Sequence, residues 1–547
     1  MSDFLSTWVG VDDAAHLAVT VTGDAAAAVG IHSPGLVSDA VASRIAAKDF
    51  TLWGTEAEDE SRIRLGWTEL HETTRGILDE LNALVEAARA EGLSRVVLAG
   101  MGGSSLGPEV IAATYEVPLV TLDSTDPDQV RDALDGDLES TILVVSSKSG
   151  GTVETDSQRR AFEEAFVQAG LDPRQHIVVV TDPGSPLHKA SVEAGYRAVF
   201  LADPNVGGRF SVLSAFGIVP SALAGVPVVE LLDEAAAVAE SLAEDNEANA
   251  AIVLGAALAG TVTATTGRDK LVFSDVGSGL VGFADWAEQL IAESTGKNGV
   301  GLLPVVAEVD APDAGLADAL DVRLGPLAED VDVPEHGVVV GGTLGGQFLL
   351  WEYATAIAGR LLHISPFDQP NVESAKVAAR ALLDALPEPE APAFVDDGIE
   401  VRALGLDLDG VETVADAVAA LEATLGPRGY VAVMAYLDRE RNPALASVRS
   451  AIAARTARPT TFGWGPRFLH STGQLHKGGA PVGVFLQLTG TFAEDLDIPE
   501  RPFTFGQLIS AQAQGDAAVL AEHDRPVLRL NLTDAAQIER VTDILKG

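Results

Sequence analysis

The chain has 547 residues, 47% hydrophobic and 21% charged, which is enough for about three domains and too apolar for disorder. Its 36 basic and 80 acidic side chains leave a formal charge of −44, which argues against nucleic acid or an anionic membrane as partner, since both demand a basic footprint. Cysteine is absent, so disulfides, thiolate metal sites and thiol nucleophiles are excluded.

The same charge poses a problem for any anionic ligand. Salt screens repulsion over about 10 Å, so a phosphate site would need local positive charge. Lys148, Arg209, Lys297 and Lys376 fall in the stretches considered below. The start, MSDFLSTWVGVDD, lacks a basic region before an apolar one and does not read as a signal peptide. Two uncharged stretches, Ala248–Gly267 and Phe210–Val229, reach spanning length by count. Ala, Gly and Thr dilute the first, and Pro220 and Pro227 cut the second, so both are expected in a core and not in a membrane. A cytoplasmic location is the expectation.

Residues 1–80 are expected to form a largely helical N-terminal extension, with Trp8, Trp53 and Trp67 in structural roles. From Leu81 the pattern alternates. Short apolar strands at 96–99, 119–122, 141–145, 177–181 and 198–201 are separated by helical segments, as in parallel βαβ units. This predicts a first doubly wound domain over 81–229.

Two loops of this domain carry the chemistry. Strand 141–145 runs into Ser146-Ser147-Lys148-Ser149-Gly150-Gly151-Thr152 and then a helix to about Gln168. Glycines that turn amides inward, a helix N-terminus, hydroxyls and one lysine make a phosphate cradle; the plain alternative is a Ser/Gly-rich connection. Strand 96–99 runs likewise into Gly100-Met101-Gly102-Gly103-Ser104-Ser105-Leu106-Gly107-Pro108. Loops at the ends of nearby parallel strands converge on one crevice. A dinucleotide is the weaker reading, since Asp123 alone stands where an acidic ribose partner is expected. At the domain's end Gly207-Gly208-Arg209-Phe210 can bring a guanidinium close to a ligand.

A second domain is expected over 230–386, with helices at 231–243 and 248–260 and a strand at 270–274. In the next helix Phe283, Trp286, Ala287, Leu290 and Ile291 follow a buried stripe. Gln289 and Glu293 neighbour one another on another face, four residues apart. A glutamate in a helix's last turn opposes the dipole slightly, which points to use as much as to a solvated surface position. Farther on, Gly341–Gly346 precedes a helix at 348–361, and Pro366-Phe367-Asp368-Gln369 precedes a helix bearing Lys376. Pro387–Pro392 reads as a linker, followed by a third, C-terminal α/β region over 393–547. Its unusual stretch is Leu469-His470-Ser471-Thr472-Gly473-Gln474-Leu475-His476-Lys477-Gly478-Gly479.

Taken together, GMGGSSLGP, SSKSGGT, VGGRFS, EQLIAESTGKNG and PFDQPNVESAK resemble, in order, the signatures of the glucose-6-phosphate isomerase family over roughly Leu81–Arg380. The whole chain looks most like its actinobacterial branch, whose members also occur fused to transaldolase. The resemblance implies two sugar-isomerase (SIS-type) α/β domains with doubly wound parallel sheets. It implies a phosphate held by Ser104, Ser147, Ser149 and Thr152 with adjoining amides, beside Lys148. Gln289, Gln369 and the backbone at Gly102 and Gly103 would hold the sugar. Glu293 would move a proton between C2 and C1, Arg209 would steady the cis-enediolate, and Lys376 would assist at the ring oxygen. One carboxylate suffices for a proton that travels between adjacent carbons, so neither cofactor nor metal is expected.

One departure stands out. The family's ring-opening histidine follows Gly-Thr-x-Gly-Gln, whereas GTLGGQF places Gln347 there. Glutamine is no general acid or base, so another group must open the ring or the third region must supply a substitute. His476 is the first candidate and His470 the second, against a structural role for both. The family's histidine commonly comes from a partner subunit, which implies a homodimer. The alternatives are an isomerase acting on both glucose and mannose 6-phosphates, a non-catalytic sugar-phosphate sensor, and a structural or interaction protein, against which the polar strand-end loops argue.

Overall fold

The computed structural model describes residues 4–11, 14–263, 267–326, 332–385 and 390–547. Among these residues the strands form three sheets, each flanked by helices.

The N-terminus departs from expectation. Residues Phe4–Val11 (β1) and Ala14–Thr22 (β2) are strands paired antiparallel, where a helical extension was predicted. Leu17, Val19 and Val21 alternate along β2 and are fully buried, a period-two signal masked by the alanines around it. Helices begin only at Gly23. Trp53 and Trp67 are buried as expected, while the side chain of Trp8 lies outside the described residues.

The first sheet is made of Arg95–Gly100 (β3), Val120–Leu122 (β4), Thr141–Ser146 (β5), Ile177–Thr181 (β6) and Ala198–Leu201 (β7), in the order β4-β3-β5-β6-β7. All its pairings are parallel. Burial of nearly every residue of β3, β5 and β6 explains their unbroken Val/Ile/Leu composition.

The second sheet contains Lys270–Asp275 (β8), Leu303–Val306 (β9), Ala319–Leu324 (β10) and Gly337–Gly342 (β11), all parallel. The N-terminal hairpin extends it: β2 lies antiparallel to β11, giving the order β1-β2-β11-β10-β8-β9. The two uncharged stretches become core helices, among them Ala215–Ala224 and Ala250–Thr263. No described helix is long and apolar enough to cross a membrane.

The third sheet consists of Phe394–Asp396 (β12), Ile399–Leu404 (β13), Tyr430–Tyr436 (β14), Thr460–Trp464 (β15), Gly483–Gly490 (β16) and Val527–Leu532 (β17). Its order is β12-β13-β17-β16-β14-β15, with β15 to β17 and β14 parallel and β12 and β13 antiparallel at one edge. Pro387–Pro389 of the expected linker lie outside the described residues.

This third layer is not an appendage. Phe505 and Leu508 of the helix Phe505–Glu522 pack in one cluster with Leu122, Val130 and Phe162 beneath the first sheet. Met434, Phe468 and Leu475 pack in another with Ala292, Leu303 and Val305 of the second. Arg467 Nη1 donates to Asp123 Oδ2 at 2.8 Å and Arg449 Nη1 to Asp313 Oδ2 at 2.5 Å, so buried ion pairs fix the register of docking on both sides.

Candidate active site

A cleft of about 370 Å³ opens where the carboxyl ends of the first sheet face the helix Phe283–Thr295 and the segment Pro366–Lys376. Glycine is required at its base. A Cβ on Gly103 would fall 1.9 Å from Gly208 O, so the two glycine loops touch backbone to backbone. Gly102, at φ +57°, lies against Gln289 and His470; a Cβ there would approach Gln289 Nε2 to 2.7 Å. The Gly103 contact also reaches Arg209, whose N would lie 3.1 Å from the same Cβ.

The first loop contributes Gly102, Gly103 and Ser104 to the lining, and the second contributes Ser147, Lys148, Ser149 and Thr152. Hydroxyls hold the second loop's shape: Gly150 N donates to Ser147 Oγ and Gly151 N to Ser149 Oγ, both at 3.2 Å. The helix Val153–Gln168 starts directly behind Thr152 and directs the positive end of its dipole toward this loop. Lys148 is more constrained than the sequence suggests, since its Nζ donates to Asp182 Oδ2 at 2.6 Å and to Pro204 O at 3.1 Å. The pairing offsets much of its charge.

Across the cleft stand Gln289, Glu293, Gln369 and Lys376. Gln289 Nε2 donates to Glu293 Oε2 at 3.2 Å, the i,i+4 relation expected of the helix, and to His470 O at 2.6 Å. Arg209 is buried and held on every side. Nε donates to Ser294 Oγ (2.8 Å), Nη1 to Gln369 Oε1 (2.8 Å), and Nη2 to Pro366 O (2.7 Å). Its Nη1 stands 3.3 Å from Glu293 Oε1. Burial pulls the guanidinium's pKa down, while Glu293 and Asp368 pull it back up. A fixed cation beside a carboxylate is the pair that proton abstraction next to a carbonyl requires.

Aromatic packing supports this floor. Trp67 stacks on Phe210 at 5.3 Å, Phe210 meets Phe367 at 5.4 Å, and Trp53 meets Phe367 edge-on at 4.9 Å. Residues 1–80 therefore brace the segments on either side of Arg209.

Lys297, noted above only as a nearby cation, has a defined place. Its buried Nζ donates to Ser365 O and Asp368 Oδ1, each at 2.7 Å, and so fastens the turn that presents Gln369. Burial first, then the Arg209 charge, lower its pKa to about 8, with Asp368 opposing. The ammonium is thus present below pH 8 and lost above it. Activity is expected to fall as pH rises through about 8, a limb that Lys297→Arg should remove because arginine stays charged. A kcat/KM profile from pH 6.5 to 9.5, about a thirtyfold excess of one protonation state at each end, checks this; an unchanged limb in the variant would refute it.

The histidines resolve differently from expectation. His476 does not reach the cleft. It is buried in the third layer, its Nδ1 2.9 Å from Tyr430 Oη and its ring stacked on Tyr430 and edge-on to Phe485. Burial, with Lys477 and Arg525 adding, lowers its pKa to about 3, which favours the neutral ring. His470 lines the cleft instead, with Nε2 3.0 Å from Glu154 Oε1. A carboxylate only accepts, so Nε2 carries a proton. Burial pushes the Glu154 carboxyl up, but His470, a backbone bond and Lys376 outweigh it and the net shift is downward. Glu154 also accepts from Gln512 Nε2 at 2.7 Å. Sequence reasoning missed Glu154, because an acid in a helix's first turn is ordinary. Gln347 is fully buried, accepts from Trp351 Nε1 at 3.1 Å, and does not line the cleft.

Residues 69–307 match the model of the phosphoglucose isomerase family. The chain is 30% identical over 371 residues to a probable glucose-6-phosphate isomerase of Methanococcus maripaludis, covering 56% of this chain and 84% of that protein. It is 30% identical over 406 residues to the glucose-6-phosphate isomerase of Rubrobacter xylanophilus, covering 59% and 93%. The chain belongs to the glucose-6-phosphate isomerase family. A solved isomerase of that name from Chlamydia trachomatis shares the fold at TM-score 0.54 and 20% identity, over 70% of this chain and 90% of that one. The family's α/β architecture with parallel sheets is the one described here.

Proposed function

We propose that this protein interconverts glucose 6-phosphate and fructose 6-phosphate by proton transfer through a cis-enediolate. The observation that carries the reading is Glu293, which faces two hydroxyl-rich loops across one cleft with the buried Arg209 guanidinium 3.3 Å behind its carboxylate. The loops, with Ser104, Ser147, Ser149 and Thr152, take the phosphate. Gln289, Gln369 and the Gly102–Gly103 backbone orient the sugar.

Glu293 takes the C2 proton of the open-chain aldose and returns it to C1, and Arg209 stabilises the oxyanion between the two steps. A preorganised donor of this kind contributes about 10²–10³ in rate. His470 and Glu154 take the place left by the glutamine at 347. The neutral imidazole removes the anomeric hydroxyl proton and, as imidazolium, returns one to the ring oxygen, with Lys376 nearby to assist there. Neither cofactor nor metal takes part in these transfers.

The proposal divides the chain into a first isomerase domain (81–229), a second (230–386) with the β1–β2 hairpin on its sheet, and a C-terminal region (393–547). It places the protein in the cytoplasm with its phosphorylated substrates. Homodimerisation belongs to it on family likeness alone; the chemistry does not depend on it, because His470 reaches the cleft from the same chain.

Turnover of fructose 6-phosphate, with mannose 6-phosphate assayed alongside, tests the reading. Glucose 6-phosphate as the aldose product is expected. Comparable turnover of mannose 6-phosphate would make the enzyme bifunctional, and sugar-phosphate binding without turnover would make it a sensor.

A further inference from the structure

Gln474 is fully buried in the third layer, on the short helix Gly473–Gly478, yet its side chain bonds to neither neighbour on that helix. One Nε2 hydrogen goes to Gly296 O at 2.9 Å, the other to Asn371 Oδ1 at 2.8 Å, and Oε1 accepts from Asn371 N at 2.9 Å. Gly296 is the C-cap of the helix Phe283–Thr295 that bears Glu293, and its carbonyl is one of the groups a helix end leaves unpaired. Asn371 immediately precedes the helix Val372–Ala385 that bears Lys376, and its N–H is the corresponding orphan donor at the other kind of end. A single carboxamide therefore caps the end of one catalytic helix and the start of the other.

The surroundings leave this bridge no slack. Gly299 N donates to Gly478 O at 2.9 Å. A Cβ on Gly296 would fall 2.3 Å from Leu475 Cα, and one on Gly478 would fall 2.5 Å from Asn371 Oδ1. On the far side, Gly515 of the helix Phe505–Glu522 lets that helix approach Val372–Ala385 so closely that a Cβ would lie 2.9 Å from Ala379 N. Gly296 follows Glu293 by about one helical turn, and Asn371 precedes Lys376 by about a turn and a half. A shift at the bridge is thus carried along short rigid levers into the cleft.

We propose that Gln474 is a positioning residue for the isomerisation, setting the separation of Glu293 from Lys376; this rests on the isomerase reading above. The cleft residues of the first two domains are adjusted by the third, which contributes His470 directly and holds the other two in register.

The test is steady-state kinetics of wild type, Gln474→Met and Asn371→Ala well below their melting temperatures, with C2-deuterated glucose 6-phosphate as a second substrate. Gln474→Met keeps the volume and removes all three bonds. A displacement near 1 Å costs about 10²-fold, so kcat should fall by that order with KM within about threefold, and the deuterium effect on kcat should rise as proton transfer becomes limiting. Asn371→Ala removes one bond without touching the third layer, should lower kcat by about tenfold, and decides the matter if Gln474→Met does not fold. A lowered melting temperature with wild-type kcat and isotope effect in the folded variants would reduce Gln474 to a structural tie and overturn the inference alone. Absence of turnover in wild type would overturn the isomerase reading and this inference with it.

Discussion

Glu293→Gln is expected to lower kcat by about three orders of magnitude while binding of sugar phosphate persists. The glutamine is nearly isosteric and can still meet Gln289, so the helix Phe283–Thr295 and its buried stripe of Phe283, Trp286 and Leu290 are undisturbed. What is lost is the only carboxylate placed against Arg209 Nη1 within the cleft among the described residues. The measurement is turnover of fructose 6-phosphate together with washout of the C1 and C2 protons into deuterated water. Washout and turnover should fall together, since both depend on the same abstraction. A variant that keeps more than about a tenth of wild-type kcat would place the base elsewhere.

His470→Ala is expected to slow the ring-closed substrate by about 10²-fold, within the usual range for general acid–base catalysis, and to spare proton exchange from the open-chain form. Glu154→Gln should reproduce part of the loss, because a neutral amide orients the imidazole without stabilising its protonated form. His476→Ala separates the two histidines: it opens a void beside Tyr430 and Phe485, so the melting temperature should drop while kcat measured well below it persists. Loss of turnover in His476→Ala with full activity in His470→Ala would reverse the assignment. Anomer-resolved stopped-flow kinetics distinguishes ring opening from isomerisation directly.

The two Ser/Gly loops at the strand ends and the glutamate helix were legible in the sequence because their geometry is local. A strand running into Ser/Gly and then a helix N-terminus builds its anion site from its own backbone, whatever surrounds it. The i,i+4 relation of Gln289 and Glu293 follows from helical pitch alone, and the 3.2 Å contact matches it. The pairing of Lys148 was hidden for the opposite reason: Asp182 lies on a different strand connection, and nothing near Lys148 in the chain announces it. The β1–β2 hairpin was missed because its burial depends on β11, more than three hundred residues away in sequence.

The sequence by itself determined the local patterns: Ser/Gly loops between strand and helix, a glutamate at a helix end, an arginine after paired glycines, and no thiol. Each is a short-range pattern in which residue type and spacing already fix the backbone. Only the tertiary structure decided which histidine serves the cleft. His470 ends a 3₁₀ turn and His476 sits on the next short helix, both in one glycine-rich stretch with no periodicity to orient them. Packing of that stretch against Gly296, Leu303 and the Asn371 turn sends His470 to Glu154 and folds His476 under Tyr430. Long-range contacts set the direction of a side chain wherever local geometry leaves it free, and here that freedom covered both histidines of the stretch.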